Sequence, residues 1–235
     1  MTVDDTVETV TAIFGAVFAR IESWRSRIEQ LIADANGSVA TAEVDALAGN
    51  LVATELDLPG AIVIGAGFVA APRFLSDRDW HLAWWLGASN TFGLAGAPPG
   101  IRRLEAVEDE SSESFRDYTN LEWWRVPVRT GEAHITGPYV DYLCTDDYTL
   151  TLTMPVRHNG SLVGVVGADI YVTDIERMLL PRLRDLGGLA TVVNSSGRVV
   201  VSTDPHRAPG TLVRLDGIES FACGDAGLRL VVDAA

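Results

Sequence analysis

Lysine is absent from the 235 residues, so all 18 basic side chains are arginine. That excludes a Schiff base to a carbonyl substrate and the lysine of a phosphate-binding loop. Positive charge is also scarce: 32 acidic side chains stand against those 18, for a formal net charge of −14. Phosphate backbones and anionic membrane surfaces need a basic face, so neither a nucleic acid nor a membrane is an expected partner. Cysteine is limited to Cys144 and Cys223, too far apart for a metal-ligand spacing. The histidines His81, His134, His158 and His206 form no HxH, HxxxH or HExxH pair, so no metal site is expected. No GxSxG nucleophile elbow occurs. No apolar run is long enough to span a bilayer, and the start Met1-Thr2-Val3-Asp4-Asp5 lacks the positive segment of a signal peptide. These absences predict a cytoplasmic protein with reduced thiols, no cofactor and no enzymatic activity. The nearest approach to hydrolytic acid–base chemistry is Asp146-Asp147 and the run Glu108-Asp109-Glu110. Such runs are ordinarily solvated loop charge, and a small hydrolase is the weakest of the readings.

What is present is enough apolar residue, 47%, to bury a sizeable core. From 4 to 35, Val7, Val10, Phe14, Val17, Ile21, Trp24, Ile28 and Leu31 alternate spacings of three and four, which predicts one long helix with a heptad seam. Asn36-Gly37 closes it. Such a seam serves either to pack the helix on its own sheet or to form a homodimer. Thr41 to Leu56 reads as a second helix. Gly60 to Ala71 is a strongly apolar strand whose Gly65 and Gly67 lack the third glycine of a dinucleotide fingerprint and sit inside the strand. Glycines placed there more often admit close packing. Further strands are expected at 81–86 and 101–106, with an exposed loop at 108–117. Thr149 to Val156 alternates as a strand, His158-Asn159-Gly160 is a tight turn, and Ser161 to Ile170 is the partner strand. A helix over 174–186 has Thr173 as its N-cap. Beyond Gly187 come a hairpin at 191–201 and a strand at 228–232. The pattern predicts an α+β fold: a long N-terminal helix, one central antiparallel sheet within 1–186, and a small β extension over 187–235.

The most informative stretch runs from Tyr118 to Ile170. It holds Glu122-Trp123-Trp124, then Gly137-Pro138-Tyr139-Val140-Asp141, then the strand pair ending in Gly164 to Ile170 with Asp169. Aromatic faces and lone carboxylates recur there, which suits capture of a small cation. Adjacent tryptophans in an extended chain point to opposite sides, so one of Trp123 and Trp124 is expected in plain core.

These residues, with the long helix and Thr151-Leu152-Thr153-Met154-Pro155-Val156, resemble the Cache family of ligand-sensing domains, which have a PAS-like fold. The tail around Val193-Asn194-Ser195-Ser196-Gly197-Arg198-Val199 resembles the opening of the second module of double-Cache sensors, shortened here. Many members are extracytoplasmic parts of chemoreceptors and histidine kinases. This sequence shows neither a membrane span nor a signalling domain, hence the expectation of a soluble sensor. The resemblance implies a small-molecule site formed by Tyr118, Trp123, Tyr139, Asp141 and Asp169, with Trp124 as a further contributor. Asp141 and Asp169 hold an ammonium group, and the aromatics wall it. In amino-acid-binding members an arginine two residues before the tryptophan clamps the ligand carboxylate; here that position is Leu121. The resemblance therefore implies a cationic amine: a biogenic amine, a polyamine or a quaternary amine. Two alternatives are an amino-acid sensor using Arg125 or Arg129, and a ligand-free dimerisation module using helix 4–35.

Overall fold

The computed structural model describes residues 2–58, 60–91, 100–140 and 147–233. Cys144 and Asp146 lie outside them.

Helix α1 (Val3–Asp34) starts where Thr2 and Asp5 exchange hydrogen bonds. Asp5 N–H donates to Thr2 Oγ1 at 3.1 Å, and Thr2 N–H donates to Asp5 Oδ2 at 2.8 Å, a reciprocal capping box. It ends at Asn36 and Gly37, with φ of 52° and 82°, and Gly37 N–H returns to the Ile32 carbonyl at 2.8 Å. The seam residues Val10, Phe14, Val17, Ile21, Trp24 and Ile28 are all buried and belong to the same core as the strands. The chain's own sheets fill the seam. Of the two uses such a seam can have, packing on the chain's own sheet is the one seen.

The main sheet is antiparallel, built from β1 (Val63–Ala70), β2 (Leu82–Leu86), β3 (Arg102–Arg103), β4 (His134–Val140), β5 (Tyr148–His158) and β6 (Ser161–Tyr171) in the order β3-β2-β1-β6-β5-β4. The β5–β6 turn is Asn159-Gly160, both with positive φ, as a tight hairpin requires. Helix α1 and helix α2 (Thr41–Leu56) cover one face. The other face is covered by α3 (Glu122–Thr130), the preceding turn Tyr118–Asn120 and the segment around Leu104. Strand β4 has no simple alternation because Gly137-Pro138 interrupts it. The register to β5 shifts between Thr136 and Tyr139, so the proline's missing N–H falls at an irregularity rather than in the ladder.

Helix α4 (Val172–Arg184) leads from β6 to a second antiparallel sheet of β7 (Leu189–Val193), β8 (Val199–Ser202), β9 (Ser220–Cys223) and β10 (Leu228–Asp233), ordered β8-β7-β10-β9. Its N-cap is Tyr171 with no side-chain cap bond, not Thr173. Buried Asn194 ties this sheet to the first. Its amide donates to the carbonyls of Gly137 at 2.8 Å and Ile135 at 3.3 Å, and its oxygen accepts from the N–H groups of Ser196 and Arg198 at 3.0 and 2.9 Å. The α+β class with a long N-terminal helix is as the sequence predicts. The tail differs from expectation in forming a sheet of its own, with β9 supplying a strand that its mixed polar residues conceal.

Two glycines give opposite outcomes. A Cβ on Gly67 would lie 2.1 Å from the Ala83 carbonyl oxygen and 2.8 Å from Trp84 Cα, so Gly67→Ala forces backbone apart and should cost about 3 kcal/mol. Gly15, in the exposed middle of α1, has nothing within 4 Å. Gly15→Ala should stabilise by roughly 0.5–1 kcal/mol through helix propensity alone. Chemical denaturation of both variants checks the pair.

Candidate functional site

Register brings the candidate residues into two rows on the face of the main sheet away from α1. In the first row Gly65 stands opposite Asp169, Asp169 opposite Thr151, and Thr151 opposite Thr136. In the second, Trp84, Gly67, Gly167, Thr153 and His134 follow one another across five strands. Residues directly opposite share a face and those two apart repeat it, so both rows point the same way.

The glycines exist for an indole. A Cβ on Gly65 would lie 3.0 Å from Trp84 Nε1, and one on Gly167 would lie 3.4 Å from Trp84 Cη2. The Trp84 ring is thus laid from β2 across β1 towards β6, with its N–H edge over Gly65. This accounts for Gly65 and Gly67 as close-packing residues.

Asp169 is only 1% exposed. Its Oδ1 accepts from Thr151 Oγ1 at 2.6 Å, and Thr151 Oγ1 lies 2.8 Å from the Tyr139 hydroxyl. A threonine hydroxyl carries one proton. Since Thr151 gives its proton to the carboxylate, Tyr139 donates to Thr151. The order Tyr139 to Thr151 to Asp169 fixes the tyrosine ring beside the acid.

Trp123 and Trp124 sit in helix α3, not in an extended segment, so they do not diverge to opposite sides as expected. Both are buried in one aromatic cluster with Tyr118. Tyr118 stacks on Trp123 at 6.2 Å and 26°, and meets Trp124 at 5.2 Å. Its hydroxyl donates to the Ala70 carbonyl at 2.6 Å. Burial, the main cause, pushes its phenol well above the ordinary range, so Tyr118 serves by its ring. A cavity of about 200 Å³ lies on its far side, lined by Trp80, Leu82, Leu104, Glu105 and Phe115 among others. Leu121 is the N-cap residue of α3 and packs into the same cluster. Arg125 and Arg129 are exposed. Asp141 lies outside the described residues.

Helix α3 is pinned to the sheet at two points. Thr153 Oγ1 donates to the Trp123 carbonyl at 2.9 Å, and His134 Nε2 lies 3.0 Å from Glu122 Oε1. The buried polar atoms on this face with no hydrogen-bond partner among the described residues include Trp84 Nε1 and Thr136 Oγ1. The sequence assigns no site role to Trp84, and it marks Thr151 and Gly65 only as strand and close-packing residues. The signal for them was a GxG inside a strand followed by a second strand carrying Trp84-Trp85, which together mark an aromatic ring packed on bare backbone.

A long helix on one face of an antiparallel sheet, with aromatics and a buried acid on the other, is the arrangement that the resemblance to Cache domains implies. Residues 102–177 match the sequence model of the methyl-accepting chemotaxis protein-like first PDC sensor domain. The chain is 24% identical over 129 residues, 54% of its length, to the methyl-accepting chemotaxis protein PctB of Pseudomonas aeruginosa. That match spans only 20% of PctB. The solved ligand-binding domain of the Pseudomonas fluorescens chemoreceptor CtaA, in complex with L-valine, superposes with a TM-score of 0.59 at 16% identity, covering 97% of this chain and 90% of that one. The extracellular domain of a histidine kinase, soHK1S-Z6, superposes with a TM-score of 0.59 at 13% identity, covering 97% and 88%. The Cache resemblance and the fold class both hold.

Two expectations are corrected by these matches. A cytoplasmic location is overturned, because the matched proteins are chemoreceptor ligand-binding domains and an extracellular kinase domain. Among the described residues no helix is long and apolar enough to cross a membrane, and that observation does not place the domain inside the cell. A bare cationic amine also finds no counterpart: the ligand in CtaA is L-valine, and PctB is solved with L-Gln.

Acid should loosen α3. The hydrogen bond from His134 is the main cause that holds the Glu122 carboxyl below its ordinary value of 4.5. A depressed carboxylate contributes stability that is present above that value and lost as pH falls through the folded-state value. Denaturation midpoints taken from pH 7 downwards should fall less steeply for Glu122→Gln than for the unaltered chain.

Proposed function

We propose that this chain is the sensing domain of a receptor and recognises a small ligand through its ammonium group, an amino acid being the ligand class. The single observation that carries this is the buried Asp169 carboxylate, held by Thr151 and Tyr139 next to an aromatic cluster. An ammonium against a carboxylate gains charge-assisted hydrogen bonds, and over an aromatic face it gains roughly 0.5–2 kcal/mol. In this reading Asp169 is one ammonium acceptor and Asp141 the second, Trp123 and Tyr139 are the walls, and Tyr118 and Trp124 stand behind them. The six-stranded unit within 1–186 holds the ligand, and 187–235 is a second module attached to it.

The amino-acid class is supported by L-Gln and L-valine in the complexes of PctB and CtaA. Because Leu121 stands where an arginine would clamp a carboxylate, a preference for bare amines is the rival outcome that the test must exclude. A ligand-free interaction module is the remaining alternative.

A thermal-shift screen of L-amino acids against their decarboxylated amines separates the three. A ligand at a hundred times its Kd adds about 2.7 kcal/mol, a rise of roughly 5–10 °C for a domain of this size. L-amino acids should produce it. Amines shifting the chain more than their parent acids would establish the rival, and no shift with either class would leave the ligand-free module. Asp169→Asn keeps an acceptor for Thr151 and should lower affinity at least tenfold while the unliganded Tm changes by no more than a few degrees. Unchanged affinity would move the site elsewhere.

A further inference from the structure

The indole N–H of Trp84 is a hydrogen-bond donor held ready beside the acid. Trp84 is 5% exposed, and its Nε1 has no hydrogen-bond partner among the described residues. A buried donor left without an acceptor is costly, about 1–3 kcal/mol, and few are kept without a reason. The ring is not misplaced by loose packing, since Gly65, Gly67 and Gly167 give it a bed that any side chain there would disturb. Its N–H edge faces a defined spot. The point where a Gly65 Cβ would sit is 3.0 Å from Trp84 Nε1 and 3.4 Å from Asp169 Oδ2. Leu86 Cδ2 is also 3.4 Å from that point, so the donor and the acid come together over bare backbone that a side chain would crowd.

We infer that Trp84 Nε1 donates to an oxygen of the ligand lying close to its ammonium group, and so takes over the carboxylate recognition that Leu121 cannot provide. This rests on the ammonium site proposed above. The ligand it selects carries an acceptor oxygen on the carbon next to the amine-bearing carbon, as an α-amino acid does: its nitrogen faces Asp169 while a carboxylate oxygen faces the indole. A neutral N–H replaces an arginine, so the clamp is weaker and tolerates a carbonyl or hydroxyl oxygen as well as a carboxylate. Gly65 has a part in this specificity, because a side chain there would press on both groups.

Titration calorimetry with the pairs L-valine and isobutylamine, and L-arginine and agmatine, tests it. The unaltered chain should bind at least one acid about tenfold more tightly than its amine. Trp84→Phe keeps a ring on the glycine bed and removes only the N–H; it should reduce that preference to about one while amine affinity stays within twofold. Gly65→Ala presses a methyl on both groups and should weaken acid and amine alike. In a nitrogen-15 spectrum, the indole peak that disappears in Trp84→Phe should shift when the acid is added. A preference that survives Trp84→Phe, or an indole peak that does not move, overturns the inference and leaves the ammonium site standing. Failure of both members of every pair to bind overturns the inference together with that site.

Discussion

Burying a carboxylate is the constraint on which the face of the main sheet away from α1 is organised. A charge taken out of water is tolerated only when hydrogen bonds replace the lost hydration. Asp169 sits in the middle of the main sheet, almost fully covered. Thr151 on the neighbouring strand supplies one bond, and its own oxygen is then occupied by Tyr139. Three residues on three strands are thereby held in one orientation. Around them the face is made of glycine and threonine, which keeps bulk away from the acid, while bulk returns as the aromatic cluster beneath α3.

The opposite face has the reverse composition. Val10, Phe14, Val17, Ile21, Trp24 and Ile28 of α1 meet Phe68, Leu150, Leu152, Val166 and Ile170 of the strands in one continuous core. One side of the sheet is thus an apolar core, and the other combines a buried aromatic cluster with a buried acid and threonines. Strands β1 and β6 serve both, which is why they read as nearly unbroken apolar runs interrupted by glycine.

The helices α1 and α2, the β5–β6 hairpin and the α+β class were legible because each follows from a local rule: heptad spacing, a closing Asn-Gly, alternation around a tight turn. What α1 packs against was not legible, since a seam looks the same whether a sheet or a second helix fills it. Strand β4 was hidden by Gly137-Pro138, and the extended reading of Trp123-Trp124 failed because nine residues after Leu121 are too few for a helical period to show against a proline. Asp169, Tyr139 and the aromatics of the site came from family resemblance. Trp84 escaped both routes, because its role depends on a register across strands that no local pattern encodes. The expected location failed for a different reason: an absent span or leader in one stretch of sequence says nothing about where a domain of this kind resides.

Asn194 links this face to the rest of the molecule. Two of its side-chain hydrogen bonds hold the β7–β8 turn at Ser196 and Arg198, and two reach the backbone of β4 at Ile135 and Gly137; Tyr139 lies two residues further along that strand. A shift of β4 that follows the Tyr139 ring must therefore carry the second sheet with it or break a buried amide's bonds. Coupling of this kind is reciprocal: whatever stiffens or displaces β7 and β8 from outside returns, through one asparagine, as a change in how firmly the acid and its tyrosine are held.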